Sequence, residues 1–398
     1  MIMKKIKDLQ LKGERVLIRV DYNVPVENGL VVDDFRIRAS IPTIKHCLNS
    51  GAAVVLMSHM GRPNGKFIQE MSLDPVSFAL EDILGKEVMF SNDCISDGSV
   101  KLSQQMHPGE IHLLENLRFH NGETDNDPSF SWFLSRHAGI YINDAFGTAH
   151  RKHASNVGIT QHIDNTAAGL LIEKEMKFLC ESLENPLSPM VLILGGAKIS
   201  SKIALIENVM DRVNVILIGG AMAFTFLKAQ GKNVGSSQVD TKNLETAKHI
   251  LNKAEKNQVN IILPQDIVFA EEITSEGNYR VVNIDDLKAD ESGFDIGPET
   301  SLNFELMLSK AKTIIWNGPL GVCEIPSFAT GTQYIASVVR ERTKAGAISI
   351  ISGGDTASAL KNSGIQDDFT HISTGGGASL HLLSGRELPA LEALKEYA

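Results

Sequence analysis

Short apolar runs recur along the chain, at residues 16–20, 53–57, 111–114, 140–142, 191–194, 215–218, 261–263, 313–316 and 347–351. Each ends in glycine or a polar cluster, and a helical pattern follows. Most of the runs lack polar alternation, as expected of strands buried on both faces of a parallel sheet. Strands alternating with helices predict an α/β fold. In such folds ligands bind beyond the carboxyl ends of the strands, so the residues just after each run carry the functional information.

A break falls near residue 170. Residues 170–183 place Ile172, Met176, Phe178 and Leu179 among charged positions, an amphipathic helix that Asn185-Pro186 ends. The strand–glycine–helix pattern then starts afresh. At 398 residues, two domains are expected, residues 1–169 and 170–398, joined by this helix.

Composition excludes several classes. The net charge of −10 disfavours general binding to nucleic acid or anionic membrane. Cys47, Cys94, Cys180 and Cys323 lie far apart, matching neither a disulfide framework nor a zinc motif, and a reducing cytoplasm is the simplest expectation. The first residues show no signal-peptide pattern, and the uncharged stretch 213–227 is too short to span a membrane.

In the first half, Arg19-Val20-Asp21-Tyr22-Asn23, Ser58-His59-Met60-Gly61-Arg62, Glu115-Asn116-Leu117-Arg118 and Asn143 to Arg151 follow apolar runs, and Arg36 sits in Asp33-Asp34-Phe35-Arg36. Arg36, Arg62, Arg118, Arg151 and His59 therefore lie where a ligand is expected. Guanidinium forks match phosphate and carboxylate oxygens, and several of them converging suggest a small polyanion. Asp21 and Asn23 suit a hydroxyl or the orientation of an arginine. One such arginine alone is better explained by a surface ion pair than by a ligand; the repeated strand-end placement is what shifts the balance. His150 and His153 lack a nearby third metal ligand.

In the second half, glycine turns follow strands at Gly195-Gly196-Ala197-Lys198 to Lys202, Ser352-Gly353-Gly354-Asp355-Thr356 and Ser373-Thr374-Gly375-Gly376-Gly377. Glycine admits a phosphate close to the backbone, and a helix N-terminus favours its charge. Lys198 and Lys202 would share a helical face if the helix starts early. Asp355 is placed to hold Mg²⁺. Glu324 could meet a ribose. Neither a P-loop nor a strand-linked GxGxxG occurs. The missing fingerprint disfavours a dehydrogenase, and a purely anion-binding module would leave Lys198, Lys202 and Asp355 idle.

Taken in order and spacing, these blocks, with Trp316 to Glu324 and Ser373 to Leu380, resemble the signature segments of phosphoglycerate kinases over almost the whole chain. The resemblance implies two Rossmann-like domains with parallel sheets facing a cleft, with residues 385–398 returning to the first. It implies reversible phosphoryl transfer between 1,3-bisphosphoglycerate and ADP, giving 3-phosphoglycerate and ATP, by a monomer using Mg²⁺. By motif, Asp21, Asn23, Arg36, His59, Arg62, Arg118 and Arg151 would contact the acid. Lys202, Gly293, Asn317, Glu324, Gly353, Gly354, Asp355 and Thr356 would contact the nucleotide, Asp355 through the metal. Arg36, Lys198, Gly376 and Gly377 would serve the transferred group. Met60, Cys323, Gln265, His381 and Ser384 depart from the usual pattern without replacing any of these contacts.

Overall fold

The computed structural model describes residues 3–271, 273, 279–362, 364 and 368–395. The chain forms two compact units: one from its start to Lys177 together with the segment from Glu387 onward, the other from Phe178 to Arg386.

In the first unit the strands are β1 (Arg15–Arg19), a small hairpin β2 (Val26–Glu27) and β3 (Leu30–Val31), then β4 (Ala53–Met57), β5 (Met89–Ser91), β6 (Ile111–Leu114), β7 (Ile140–Asn143) and β8 (Asn165–Ala168). The main sheet runs β5-β6-β4-β1-β7-β8 with every pairing parallel. Val16, Ile18, Val54, Leu56, Ile111, Leu113 and Ile142 enter one core with Ile37, Ile41 and Ile44 of the helix Phe35–Asn49 and Val76 and Leu80 of the helix Asp74–Leu84. The i, i+4, i+7 spacing on the first of these helices aims one stripe at the sheet. Each such side chain contributes about 1.5–3 kcal/mol on burial. The returning C-terminal segment joins this unit through the Ala390 N–H on the Ala149 carbonyl (3.0 Å) and a bridge between Met3 and Lys395.

The connection from β1 leads to β4 on one side, and that from β7 leads to β8 on the other. The order reverses between β1 and β7, opening a crevice at their carboxyl ends.

The second unit holds β9 (Met190–Leu194), β10 (Val215–Ile218), β11 (Asn260–Ile262), β12 (Asp266–Ala270), β13 (Tyr279–Asn283), β14 (Ser292–Ile296), β15 (Thr313–Asn317), β16 (Ile348–Ser352) and β17 (His371–Ile372). Its parallel sheet runs β11-β10-β9-β15-β16-β17, the doubly wound order, with the reversal between β9 and β15. A second sheet, β13-β12-β14, is antiparallel. Its central strand β12 carries the apolar run 267–270, but its partners announce nothing: β13 exposes four of its five residues and β14 begins on half-buried ones.

The amphipathic segment near residue 170 is the helix Leu170–Glu184, and the division between the units falls within it. Its start is held in the first unit: the Leu171 and Ile172 N–H groups donate to Asp144 Oδ1 at 2.9 and 3.3 Å, and Leu170 N–H to Thr43 Oγ1 at 3.0 Å. A buried carboxylate thus takes the place of an N-cap side chain.

Candidate functional site

In the first unit the strand ends converge on one arginine-rich surface. Arg36, from the first turn of the helix Phe35–Asn49, reaches Asp21 just after β1 at 3.4 Å and the Asn23 carbonyl at 3.0 Å. Asn23 Oδ1 accepts the Gly61 N–H at 2.9 Å, which ties the loop after β1 to the loop after β4. Arg118 Nη1 donates to the Gly61 carbonyl at 2.7 Å, which adds the loop after β6. Arg62, Arg118 and Arg151 line one cavity of about 290 Å³ with Gly65, Asn121 and His153. All seven residues expected on the acid side are therefore gathered in one place, His59 among them, with Nδ1 3.9 Å from Asp21.

Electrostatics explain what this surface attracts. Burial, then the neighbouring Arg19 and Arg151, pushes the Arg118 guanidinium down to about 10, still charged at neutral pH. Like charges are packed here with few acids to cancel them, which favours an anion. His59 is driven well below the usual histidine range by burial and then by Arg19, Arg118 and Arg36. It is neutral. Its Nδ1 accepts from Arg19 Nη2 at 3.2 Å, so its proton sits on Nε2.

Two residues behind this surface escape sequence reasoning. Arg19 ends β1 fully buried, donating to Ser155 Oγ at 2.8 Å and to the Val20 carbonyl. Glu123, also fully buried, accepts from Ser155 N–H at 2.9 Å and Oγ at 2.7 Å and faces His153 at 3.5 Å. Together they lock the loop after β7, which carries Arg151, against β1. The signal for Arg19 was its place at the end of an apolar run; nothing in its local sequence marks Glu123.

In the second unit, the first glycine turn does not present its amides to a ligand. The Gly195 N–H donates to the Asn317 carbonyl (3.0 Å) and the Gly196 N–H to that of Pro319 (2.7 Å). A Cβ at Gly195 would lie 1.9 Å from the Pro319 oxygen. These glycines let β9 and β15 close on each other at the switch point. The α-helix also starts late. Ile199–Ser201 form a 3-10 turn and the helix begins at Ile203, so Lys198 and Lys202 do not share a helical face. Lys198 is exposed on extended backbone; Lys202 is buried, beside Gly196. Burial lowers the Lys202 ammonium and the charge of Asp355 opposes this.

The other two turns meet. Gly353 has φ +102°, and the helix Gly354–Asn362 begins immediately after it with Asp355 in its first turn. The helix Gly376–Leu383 begins alongside, and a Cβ on Gly376 would come 3.3 Å from the Gly354 nitrogen. Two helix N-termini thus converge, with Lys202 adding a cation, an arrangement suited to phosphate oxygens. Thr356 Oγ1 accepts the Gly318 N–H at 2.8 Å, and Asn317 Nδ2 donates to Ser352 Oγ at 3.0 Å. Both side chains hold the turns after β15 and β16 in place.

Gly293 lies on β14, where a Cβ would strike Phe224 and Ile267 at 2.5 Å. Those two rims, with Gly220, Phe294 and Leu320, line an apolar crevice of only about 10 Å³. Glu324 is exposed on the loop after β15, and among the described residues no contact joins it to the Lys202–Asp355 group.

Comparison with known proteins bears on the family and the fold. The family model described as phosphoglycerate kinase matches residues 6–386. The phosphoglycerate kinase of Chloroherpeton thalassium is 48% identical, covering 98% of each chain. That of Finegoldia magna is 48% identical over 99% of each. The solved phosphoglycerate kinase of Coxiella burnetii superposes with a TM-score of 0.86 at 39% identity, covering 99% of both chains. That of Pyrococcus horikoshii gives 0.84 at 30% identity, covering 98% of both.

Proposed function

The chain belongs to the phosphoglycerate kinase family, and on that premise we propose how its own residues divide the work. It catalyses reversible phosphoryl transfer between 1,3-bisphosphoglycerate and ADP, giving 3-phosphoglycerate and ATP. The acid would bind on the arginine surface of the first unit. Arg62, Arg118 and Arg151 would take its phosphate in the cavity they line. Asp21, Asn23 and the Nε2–H of neutral His59 would meet its hydroxyl and carboxyl groups.

The nucleotide would bind on the second unit. Its phosphates would lie over the helix starts at Gly354 and Gly376, with Lys202 beside them, Asn317 and Thr356 holding the turns beneath and Gly293 and Glu324 on the base and ribose side. The narrow crevice at Gly293 would widen to admit a flat base. Asp355 offers an exposed carboxylate at this edge, an oxygen donor of the kind magnesium takes. Magnesium, when bound, neutralises charge on the phosphate oxygens.

In the ATP-consuming direction the nucleophile is the acid's carboxylate, already ionised at neutral pH. No general base is required. The protein has to align the two oxygens about the phosphorus and balance its spreading negative charge. Arg36 from the first unit, with Lys198 and the N–H groups of Gly376 and Gly377 from the second, are the groups we assign to that task. Each substrate sits on its own unit, so transfer requires the units to close. The helix Leu170–Glu184, which spans their division, is the natural place to bend. Closure also keeps water from the acyl phosphate. We read the enzyme as a cytosolic monomer; its four cysteines are unpaired.

The observation that carries this assignment is the gathering of five cationic or neutral donors, Arg36, Arg62, Arg118, Arg151 and His59, on one surface at the strand ends. The test is a coupled assay with 3-phosphoglycerate, ATP and Mg²⁺, reading NADH oxidation. Turnover needing all three, and 3-phosphoglycerate binding abolished in Arg62→Ala/Arg118→Ala, is expected. Unchanged acid binding in that double variant would place the acid elsewhere.

A further inference from the structure

No zinc motif is visible in the spacing of the cysteines, yet the fold brings one of them into a different company. Cys94 follows β5, and His120 follows the turn Leu117–Phe119 beyond β6. Asp93, Cys94 and His120 each place a donor atom within 4.8 Å of the others. Asp93 Oδ2 and His120 Nε2 are 3.4 Å apart. We propose that these three side chains form a binding site for a zinc-class divalent cation, separate from the phosphoryl-transfer site, that staples the loop after β5 to the loop after β6.

The distances fit. Zinc bonds of about 2.0–2.3 Å in tetrahedral geometry set neighbouring donors roughly 3.3–3.8 Å apart. The carboxylate–imidazole pair already meets this, and the thiol, within 4.8 Å of both partners, needs to move by about 1.5 Å at most. A thiolate, an imidazole and a carboxylate select zinc or cobalt over magnesium or calcium, which want oxygen alone. The fourth position is left for water, since Asp93 and His120 are partly exposed while Cys94 is buried.

The donors are held from behind, as metal ligands need to be. Asp93 Oδ1 accepts the N–H groups of Ile95 (2.6 Å) and Ser96 (2.9 Å), which turns Oδ2 toward His120. The His120 ring packs on Phe130, centroids 5.5 Å apart. The Cys94 carbonyl is fixed by His137 Nε2 at 3.0 Å. An ion pair of Asp93 with His120 explains two of the three groups; it leaves the thiol's inward placement beside them without a role.

The experiment is a titration of the nucleotide-free protein with Co²⁺, followed in the near-ultraviolet and visible. One equivalent should give thiolate-to-cobalt charge transfer and tetrahedral d–d bands, reversed by Zn²⁺. The bands should vanish in Cys94→Ala and weaken at least tenfold in affinity in His120→Ala and Asp93→Asn; asparagine keeps the Oδ1 bonds to Ile95 and Ser96. Zn²⁺ at about a hundred times its Kd should raise the melting temperature of the parent by about 5–10 °C and leave Cys94→Ala unmoved. Absence of charge transfer in the folded protein, or bands that survive in Cys94→Ala, would overturn the site. Should Cys94→Ala not fold, equal Co²⁺ affinity in the parent and His120→Ala would overturn it just as well.

Discussion

Arg36 Nη1 stands 3.4 Å from both carboxylate oxygens of Asp21. The arginine assigned to the transferring phosphoryl is thus held in place by the strand-end acid before any substrate arrives. The Asn23 carbonyl, 3.0 Å away, is its second anchor. Preorganisation of this kind lets charge stabilisation act without reorientation during transfer. Removing the cation with Arg36→Ala should cost on the order of a thousandfold in kcat, as loss of comparable arginines does. Asp21→Ala should cost about tenfold in kcat/KM, the worth of one or two hydrogen bonds. Near-normal turnover of Arg36→Ala in the coupled assay would take it out of the mechanism.

Lys202 is buried beside Gly196 and shares its electrostatics with Asp355. Methionine matches its length and removes the charge. Lys202→Met should raise KM for ATP on the order of thirtyfold, in line with a charge-assisted bond to phosphate. KM for 3-phosphoglycerate should stay within twofold. A change in the acid's KM alone would show that the two units do not divide the substrates as assigned.

Gly353 turns the chain at φ +102° into the helix whose N–H groups would receive phosphate. A side chain there is strained by about 1–3 kcal/mol. Gly353→Ala should lower the melting temperature by several degrees and weaken ADP binding in calorimetry. Wild-type ADP affinity in this variant would separate the turn from the nucleotide site.

Acid should unsettle the first unit more than the second. His137 Nε2 faces the Cys94 carbonyl and must donate, so its Nδ1 accepts the Ser103 hydroxyl at 2.7 Å. Ser103 then accepts from His112 Nδ1 at 2.8 Å, and His112 Nε2 accepts from Ser91 at 2.7 Å. Both rings are neutral, pushed down by burial to about 3 for His112 and about 4 for His137. The unfolded chain binds these protons below about 6.5 and the native chain does not. Their stability is present above that pH and is lost as pH falls toward the folded values, on the order of 1 kcal/mol per pH unit for each ring. Asp144, raised to about 7 by burial, has the opposite sense: protonated when folded, it favours the native state as pH falls below 7. His59, also depressed, adds to the loss. In the second unit Asp295, likewise near 7 through burial, has only the favourable sense on acidification. Hydrogen exchange, corrected for intrinsic rates, should show β1, β4 and β6 losing protection relative to β9 and β15 between pH 7 and 5. Equal change in both units would count against this balance.

Closure should appear in solution scattering. With 3-phosphoglycerate and a non-hydrolysable ATP analogue together, the radius of gyration should fall, and with either alone it should change less. A profile indifferent to both ligands would leave the helix Leu170–Glu184 without a role as a hinge.

Much of this was legible in the chain alone. Parallel strands buried on both faces must be continuously apolar, and 53–57, 111–114 and 215–218 are strands to the residue. The rule that ligands gather at carboxyl ends then singled out Arg62, Arg118, Arg151 and Asp355. Short edge strands such as Asn165–Ala168 and the outer strands β13 and β14 of the antiparallel sheet stayed hidden, because small, polar or exposed residues there leave no apolar run.

What the linear pattern determined was chemistry that depends on residue type and local order: where strands end, which cations follow them, where glycine admits a turn. What only the tertiary structure decided depends on partners distant in the chain. It spent the Gly195 and Gly196 amides on the end of β15 and the turn after it, delayed the helix past Lys202, buried Glu123 against Arg19 and set His120 beside Cys94. Hydrogen bonds and desolvation act through space, and folding alone chooses which residues share that space.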